Sequence, residues 1–218
     1  MRAEQNTGLQ ARVERVHGGA SAALERLWYS IYVDELGHDL PQADHAARRI
    51  SDPFAASGQL HVAHDPQGTP VGSVLTVLAG RTDPGHYREL YGLEGDLSDV
   101  AFTTRLVVAP SHRRSRVARE LTVATYRDGL EAGVRTAHVD VQPMNQKLFE
   151  RMGYVLRGPV THPLYGPSLH MTLDLHDVEH MRRVRSPFLK IATEYLGRTR
   201  RRASVTPFVG PLPARRAG

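Results

Sequence analysis

The sequence has no cysteine, which excludes disulfides, thiolate metal sites and a cysteine nucleophile. No apolar run approaches the ~18 residues that a membrane-spanning helix needs. Residues 1–19 lack the apolar core of a signal peptide, so a soluble, cytoplasmic protein is expected. Lysine is nearly absent: Lys147 and Lys190 are the only two, and every other basic side chain is arginine. The twelve histidines show no zinc-type spacing. His61 and His64 bracket a strand end and point to different faces or into a turn, so no metal site is expected.

What is present is a length of 218 residues and a hydrophobic content of 40%, enough for one domain with a real core. The net charge of +5 is unevenly placed. From Arg182 onward there are ten basic residues and one acid, a net of +9 that leaves −4 on residues 1–181. Such a block reads first as a solvated tail, with an acidic partner or nucleic acid as the functional alternative. The segment lacks the interleaved aromatic and basic residues of a nucleic-acid reading module, so nucleic acid is not the expected partner.

Residues 1–20 read as a flexible lead-in. A helix is predicted from Ser21 to Leu36, with Leu24, Leu27, Trp28, Ile31 and Leu36 on one face and Gly37 as its stop. A loop and a short helix then reach Asp52-Pro53-Phe54. Leu60–His64 and Val71–Ala79 read as a hairpin around Asp65-Pro66-Gln67-Gly68. Residues 80–98 form an insertion, partly helical. Val100–Val108 is a strand, Arg114–Ala132 a helix ending at Gly133, and Thr136–Val141 a strand. Pro143–Met152 is a short helix, and Tyr154–Arg157 and Leu169–Leu175 are the last strands. This alternation predicts an α/β (α+β) domain over residues 21–185, a mixed central sheet flanked by helices. An added amphipathic helix at 186–198 and a disordered basic tail at 199–218 complete the plan.

The most informative stretch is Val107–Glu131. An apolar strand ends at Pro110; Arg113, Arg114, Arg116 and Arg119 follow, and a helical pattern begins at once. A helix N-terminus offers free N–H groups and a positive dipole end, so added arginines mark an anion site. Positive charge there opposes the dipole, which argues against a merely solvated helix start.

At this point the residues resemble a family. Arg113-Arg114-Ser115-Arg116-Val117-Ala118 is similar to the R/Q-x-x-G-x-G/A phosphate turn of the GNAT N-acyltransferase superfamily, with Arg116 where that family usually has glycine. Asn145 to Tyr154 resembles its N-x-x-x-x-(Y/F)-x-x-x-G-(F/Y) segment. Leu27 to Gly37, Asp52-Pro53-Phe54, Val71-Gly72-Ser73 and Ser186-Pro187-Phe188 narrow the resemblance to one subgroup. That subgroup holds the acyl-homoserine-lactone synthases and the long-chain N-acyl amino acid synthases. The resemblance spans about residues 22–188. It implies a medium or long fatty acyl chain carried on phosphopantetheine, as an acyl carrier protein thioester with acyl-coenzyme A the alternative. It also implies an amine acceptor that is an amino acid, peptide or related metabolite. Trp28, Ala55, Leu75 and Phe102 replace polar residues of the lactone synthases, so a lactone product is not expected.

Transfer by direct aminolysis, with no acyl-enzyme, needs a proton acceptor, an oxyanion donor and a donor site. The resemblance puts the oxyanion donor on a backbone N–H around Val107 to Ala109, Val108 being the catalytic candidate. It puts the donor phosphate on Arg113, Arg114, Ser115, Arg116, Val117 and Ala118, with Asn145 nearby. Asp52 and Glu35 are the candidates to bind or deprotonate the amine; the competing readings are a helix cap and a surface acid. Arg105 suits an acceptor carboxylate or an ion pair with Asp52. Trp28 and Tyr32 are core residues or walls of the acyl tunnel. Phe102 and Phe149 complete the substrate list, Phe149 standing where many relatives carry a general-acid tyrosine. His138 reads as a base or a satisfied structural histidine. Phe188, Ile191, Ala192 and Tyr195 form a stripe that packs on the body or lies on an anionic membrane. A coenzyme A-dependent acetyltransferase and a non-catalytic module of the same shape are the competing functions.

Overall fold

A computed structural model describes residues 11–205. In chain order the elements are β1 (Arg12–Val16), α1 (Ala22–Tyr29), a π-helical turn (Ser30–Glu35), β2 (Ala43–Asp44), β3 (Arg49–Ile50), β4 (Gln59–His64) and β5 (Pro70–Leu78). They continue with α2 (His86–Leu90), β6 (Val100–Val108), α3 (Val117–Glu131), β7 (Thr136–Val141), α4 (Gln146–Met152), β8 (Val155–His162), β9 (Gly166–Asp174), α5 (Val178–Arg183) and α6 (Leu189–Val205). Seven strands form one sheet in the order β1-β4-β5-β6-β7-β9-β8, antiparallel except between β6 and β7.

Helices cover both faces of this sheet. One face carries α3, α5 and α6 over a core that includes Leu130, Met171, Met181 and Phe188. The other carries α1 over Trp28, Ile50, Leu60 and Leu75, and α2 over Val77 and Phe102. Every residue of β5 is buried, as a central strand covered on both sides requires. Helix α1 starts at Ser21, whose hydroxyl accepts the Leu24 N–H at 3.3 Å. Gly37, Gly133 and Gly153, which follow the first helical segment, α3 and α4, all take left-handed backbone.

Several expectations are corrected. The lead-in is not all flexible: Arg12–Val16 pairs with β4 as an edge strand, tied down by Arg15 to Asp128 at 3.2 Å. A two-residue hairpin, β2–β3, stands where a short helix before Asp52 was expected. The helix after the arginines starts at Val117, because residues 110–112 form a tight turn first. The final helix runs past 198 to Val205, into the segment expected as tail; residues 1–10 and 206–218 lie outside the described residues.

Candidate functional site

Strands β6 and β7 pair only from Val100–Phe102 to Thr136–His138. Beyond Phe102 and His138 they part, and the wedge between them opens toward their C-terminal ends. A bulge on β6 falls inside it. Ser73 pairs with Val107 and Leu75 with Thr104, so Arg105 and Leu106 together face the single Val74. Arg105 takes the left-handed φ of 53°. A non-glycine residue held there stores strain of about 1–3 kcal/mol, which the surroundings must impose. They do: the Trp28 indole N–H donates to Ser73 Oγ at 2.8 Å, and that hydroxyl donates to the Arg105 carbonyl at 3.1 Å. Gly72 lies beside this network; a Cβ there would meet the Val107 carbonyl at 2.9 Å.

After the bulge, the Ala109 N–H donates to the Val71 carbonyl at 2.8 Å, toward β5. Alternation along the strand then turns the Val108 N–H the other way, into the wedge. At the wedge mouth the chain makes the arginine turn. Arg114 is left-handed with φ 66°, whereas Arg116 is an ordinary right-handed N-cap. Position 116 therefore needs no glycine. Ser115 Oγ accepts the Val117 N–H at 3.2 Å, while the amides of Arg116, Ala118 and Arg119 have no acceptor among the described residues. Arg114, Arg116 and Arg119 are exposed. Asn145, at the C-terminal end of β7 and so on the same sheet edge, is exposed and makes no side-chain cap for α4.

Glu35 lies apart from the wedge interior. It grips Arg113 through two hydrogen bonds of 2.6 Å at the surface, and this pairing holds its carboxyl below the usual range. A carboxylate so held binds protons weakly, the opposite of what a base needs. Asp52 has both oxygens engaged: Oδ2 accepts from Arg105 Nε at 2.7 Å and Oδ1 from the Phe54 N–H at 2.9 Å. It is a buried partner of Arg105, the scaffold reading of that pair.

Arg105 itself keeps one group free. Its Nη1 is buried without a hydrogen-bond partner, inside a basket where Tyr32, Trp28 and Tyr165 lie 4.8, 5.3 and 5.9 Å from the guanidinium carbon. Burial opposes its charge, but Tyr32, Tyr165 and Asp52 outweigh this and raise its pKa. An orphaned donor of this kind suits an anionic ligand atom.

On the opposite face the sheet and α3 enclose an apolar cavity of about 30 Å³, lined by residues that include Thr103, Leu106, Tyr126, Phe149, Tyr154 and Phe188. Phe149 is part of this apolar wall. Trp28, Tyr32 and Phe102 do not line this cavity. They belong to the other face, where Phe102 stacks on Tyr87 at 5.4 Å and Tyr32 on Tyr165 at 5.2 Å. The stripe of Phe188, Ile191, Ala192 and Tyr195 packs against the body, so that apolar face is not available to a membrane.

The sequence reading missed Asp140, His86 and His162. The first was legible as part of Thr136-x-His138-x-Asp140, polar residues at period two in an otherwise apolar strand. His162 is buried; its Nδ1 accepts the Leu164 and Tyr165 N–H groups at 3.0 and 3.3 Å, and its Nε2 lies 3.3 Å from His86 Nε2. His138 Nδ1 lies 2.9 Å from His170 Nε2. Burial, reinforced by neighbouring charge, pushes His138 and His162 each down to about 4. Both are neutral at pH 7, whereas histidine in an unfolded chain titrates near ~6.5. The unfolded state then binds more protons between those values, so stability is full above the upper one and falls as pH drops toward the lower. The urea midpoint is expected to be lower at pH 5 than at pH 7, with the difference reduced in His138→Gln.

No protein-family model matches the sequence, and no curated protein matches it. Solved structures do. TofI, in a ternary complex with an inhibitor and MTA, superposes over 82% of this chain and 99% of its own, with a TM-score of 0.62 at 18% identity. BjaI, a CoA-dependent acyl-homoserine lactone synthase with SAM and isopentyl-CoA, covers 82% and 91% with a TM-score of 0.58 at 18% identity. The lactone synthase LasI covers 77% and 91% with a TM-score of 0.59 at 16% identity. The fold is GNAT-like. Within that class it is the form taken by the acyl-homoserine lactone synthases.

Proposed function

We propose that the protein is an N-acyltransferase that moves an acyl chain from a phosphopantetheine thioester to an amino group by direct aminolysis. The observation that carries this is the wedge: its one mouth has the arginine turn, its wall the inward-pointing Val108 N–H, and its far side the apolar cavity. The phosphate fits the free amides of Arg116, Ala118 and Arg119 with the guanidinium groups of Arg114 and Arg116. The thioester carbonyl then lies within the wedge, and the Val108 N–H receives the oxyanion, a role worth about 2.7–4 kcal/mol per donor. The chain enters toward Leu106 and Phe149. A cavity of about 30 Å³ has the volume of about one water molecule, so an acyl chain requires Phe149 or Phe188 to move. Arg105 Nη1 receives a carboxylate of the acceptor on the opposite face.

The donor reading favours acyl carrier protein. Arg114, Arg116 and Arg119 exceed what one phosphate needs and suit an acidic protein surface. Coenzyme A is the second reading, favoured by the fold shared with BjaI, which is described as CoA-dependent. Mass spectrometry of products decides. Matched carrier-protein and coenzyme A thioesters of several chain lengths are offered with a pool of amino acids, peptides and simple amines. An N-acyl product formed faster from the carrier protein is expected. No N-acyl product from either donor refutes the acyltransferase, and turnover from coenzyme A alone refutes the carrier-protein donor.

A further inference from the structure

Asp140 lies on β7, two residues beyond the last pairing with β6. Phe102 and His138 close the paired part of the wedge with rings 6.0 Å apart, and period-two alternation puts Thr104 and Asp140 next on the same face. The bulge adds Arg105 to that face on the β6 wall. The two walls therefore present a buried guanidinium and a carboxylate at the same level. Asp140 is half-buried, and no lysine or arginine among the described residues pairs with it. Its one side-chain hydrogen bond comes from the Tyr91 hydroxyl to Oδ1, at 2.7 Å.

We propose that Asp140 is the proton acceptor for the attacking amine. This rests on the acyltransferase reading. The amine nitrogen forms the new bond to the thioester carbonyl carbon and gives one proton to Asp140. The oxyanion collapses, the C–S bond breaks with its electron pair on sulfur, and the departing thiolate takes up the proton that Asp140 holds. Amine and thioester become amide and thiol, and no other reactant is consumed. An acceptor arriving as an ammonium ion loses its extra proton first, through Asp140 to solvent.

The surroundings suit this. Burial lifts the Asp140 carboxyl above the usual range, against the opposing bond from Tyr91 and the fields of His86 and His170. His86 and Tyr87 of α2, and Tyr91 just after it, face it. The strands contribute His138 on β7 itself, His170 and, through the shared field of that imidazole, Arg157. Arg105 stands at the same level on the β6 wall. Burial lowers the pKa values of the His138 and His170 imidazoles beside Asp140.

The test uses the full-length protein in the product-forming assay. Asp140→Asn is expected to lower kcat by about 10²-fold or more, with the KM for donor thioester unchanged and the thermal midpoint unchanged or raised. Tyr91→Phe keeps the carboxylate but removes its hydrogen-bond donor. The acidic limb of the kcat/KM pH profile should then move to higher pH. Asp140→Asn within about threefold of wild type overturns the assignment. So does a Tyr91→Phe profile that does not move, since a merely structural carboxylate would leave it in place. Wild-type protein that acylates no amine refutes the acyltransferase reading itself, an outcome distinct from an active wild type with an equally active Asp140→Asn.

Discussion

Arg114→Glu combined with Arg116→Glu is expected to reduce kcat/KM for a carrier-protein thioester by about 10²- to 10⁴-fold. Each charge-assisted hydrogen bond lost contributes about 1.5–3 kcal/mol, and the new carboxylates also repel the phosphate. Stability is the control. Both side chains are exposed and neither is in an ion pair among the described residues. Acidic residues at the start of α3 also complement the helix dipole, so the fold should lose nothing and gain up to about 1 kcal/mol. Arg113 is the poorer target, because reversing it also breaks the clamp with Glu35. Steady-state kinetics with carrier-protein and coenzyme A donors, alongside urea unfolding, check the expectation. Unchanged carrier-protein turnover sinks the donor site.

The second large effect is on stability. Asp52→Ala is expected to destabilise the protein by about 3–5 kcal/mol, because it leaves the Arg105 charge buried without its partner. Side chains in this pair are 3% and 6% exposed, so water cannot substitute. For a domain of this size that corresponds to a fall of roughly 10 °C in the thermal midpoint. Asp52→Leu with Arg105→Met removes both charges and should recover most of the loss, while abolishing recognition of an acceptor carboxylate. A small effect of Asp52→Ala, below about 1 kcal/mol, would mean that the pair is solvated in solution.

The contrast between these sites explains what the sequence revealed. The arginine turn was legible because its chemistry is local: a strand end, Pro110, four arginines and a helical pattern lie within a short stretch. The helix stops at Gly37 and Gly133 were legible for the same reason, since glycine is the residue that left-handed backbone favours. The bulge was not. Nothing in Thr103-Thr104-Arg105-Leu106 marks an arginine that must adopt positive φ, because Trp28 and Ser73, far away in sequence, impose it. The Arg105–Asp52 pair was one of two readings that the sequence offered, whereas Glu35 read as a surface acid until the fold gave it Arg113. The lead-in hid a strand because Arg12-Val13-Glu14-Arg15-Val16 lies at the sheet edge, where half-exposure weakens the apolar alternation. Which face holds the apolar cavity was equally hidden, since the residues lining it come from elements across the chain.

The Trp28 indole has a use beyond packing. It is the chain's one tryptophan, fully buried, hydrogen-bonded to Ser73 and 5.3 Å from the Arg105 guanidinium carbon. Its emission therefore comes from one known place and senses the charge beside it. Nature has left a single-site optical probe at the wall where an acceptor would bind, so occupancy can be followed in the unlabelled protein without waiting for turnover.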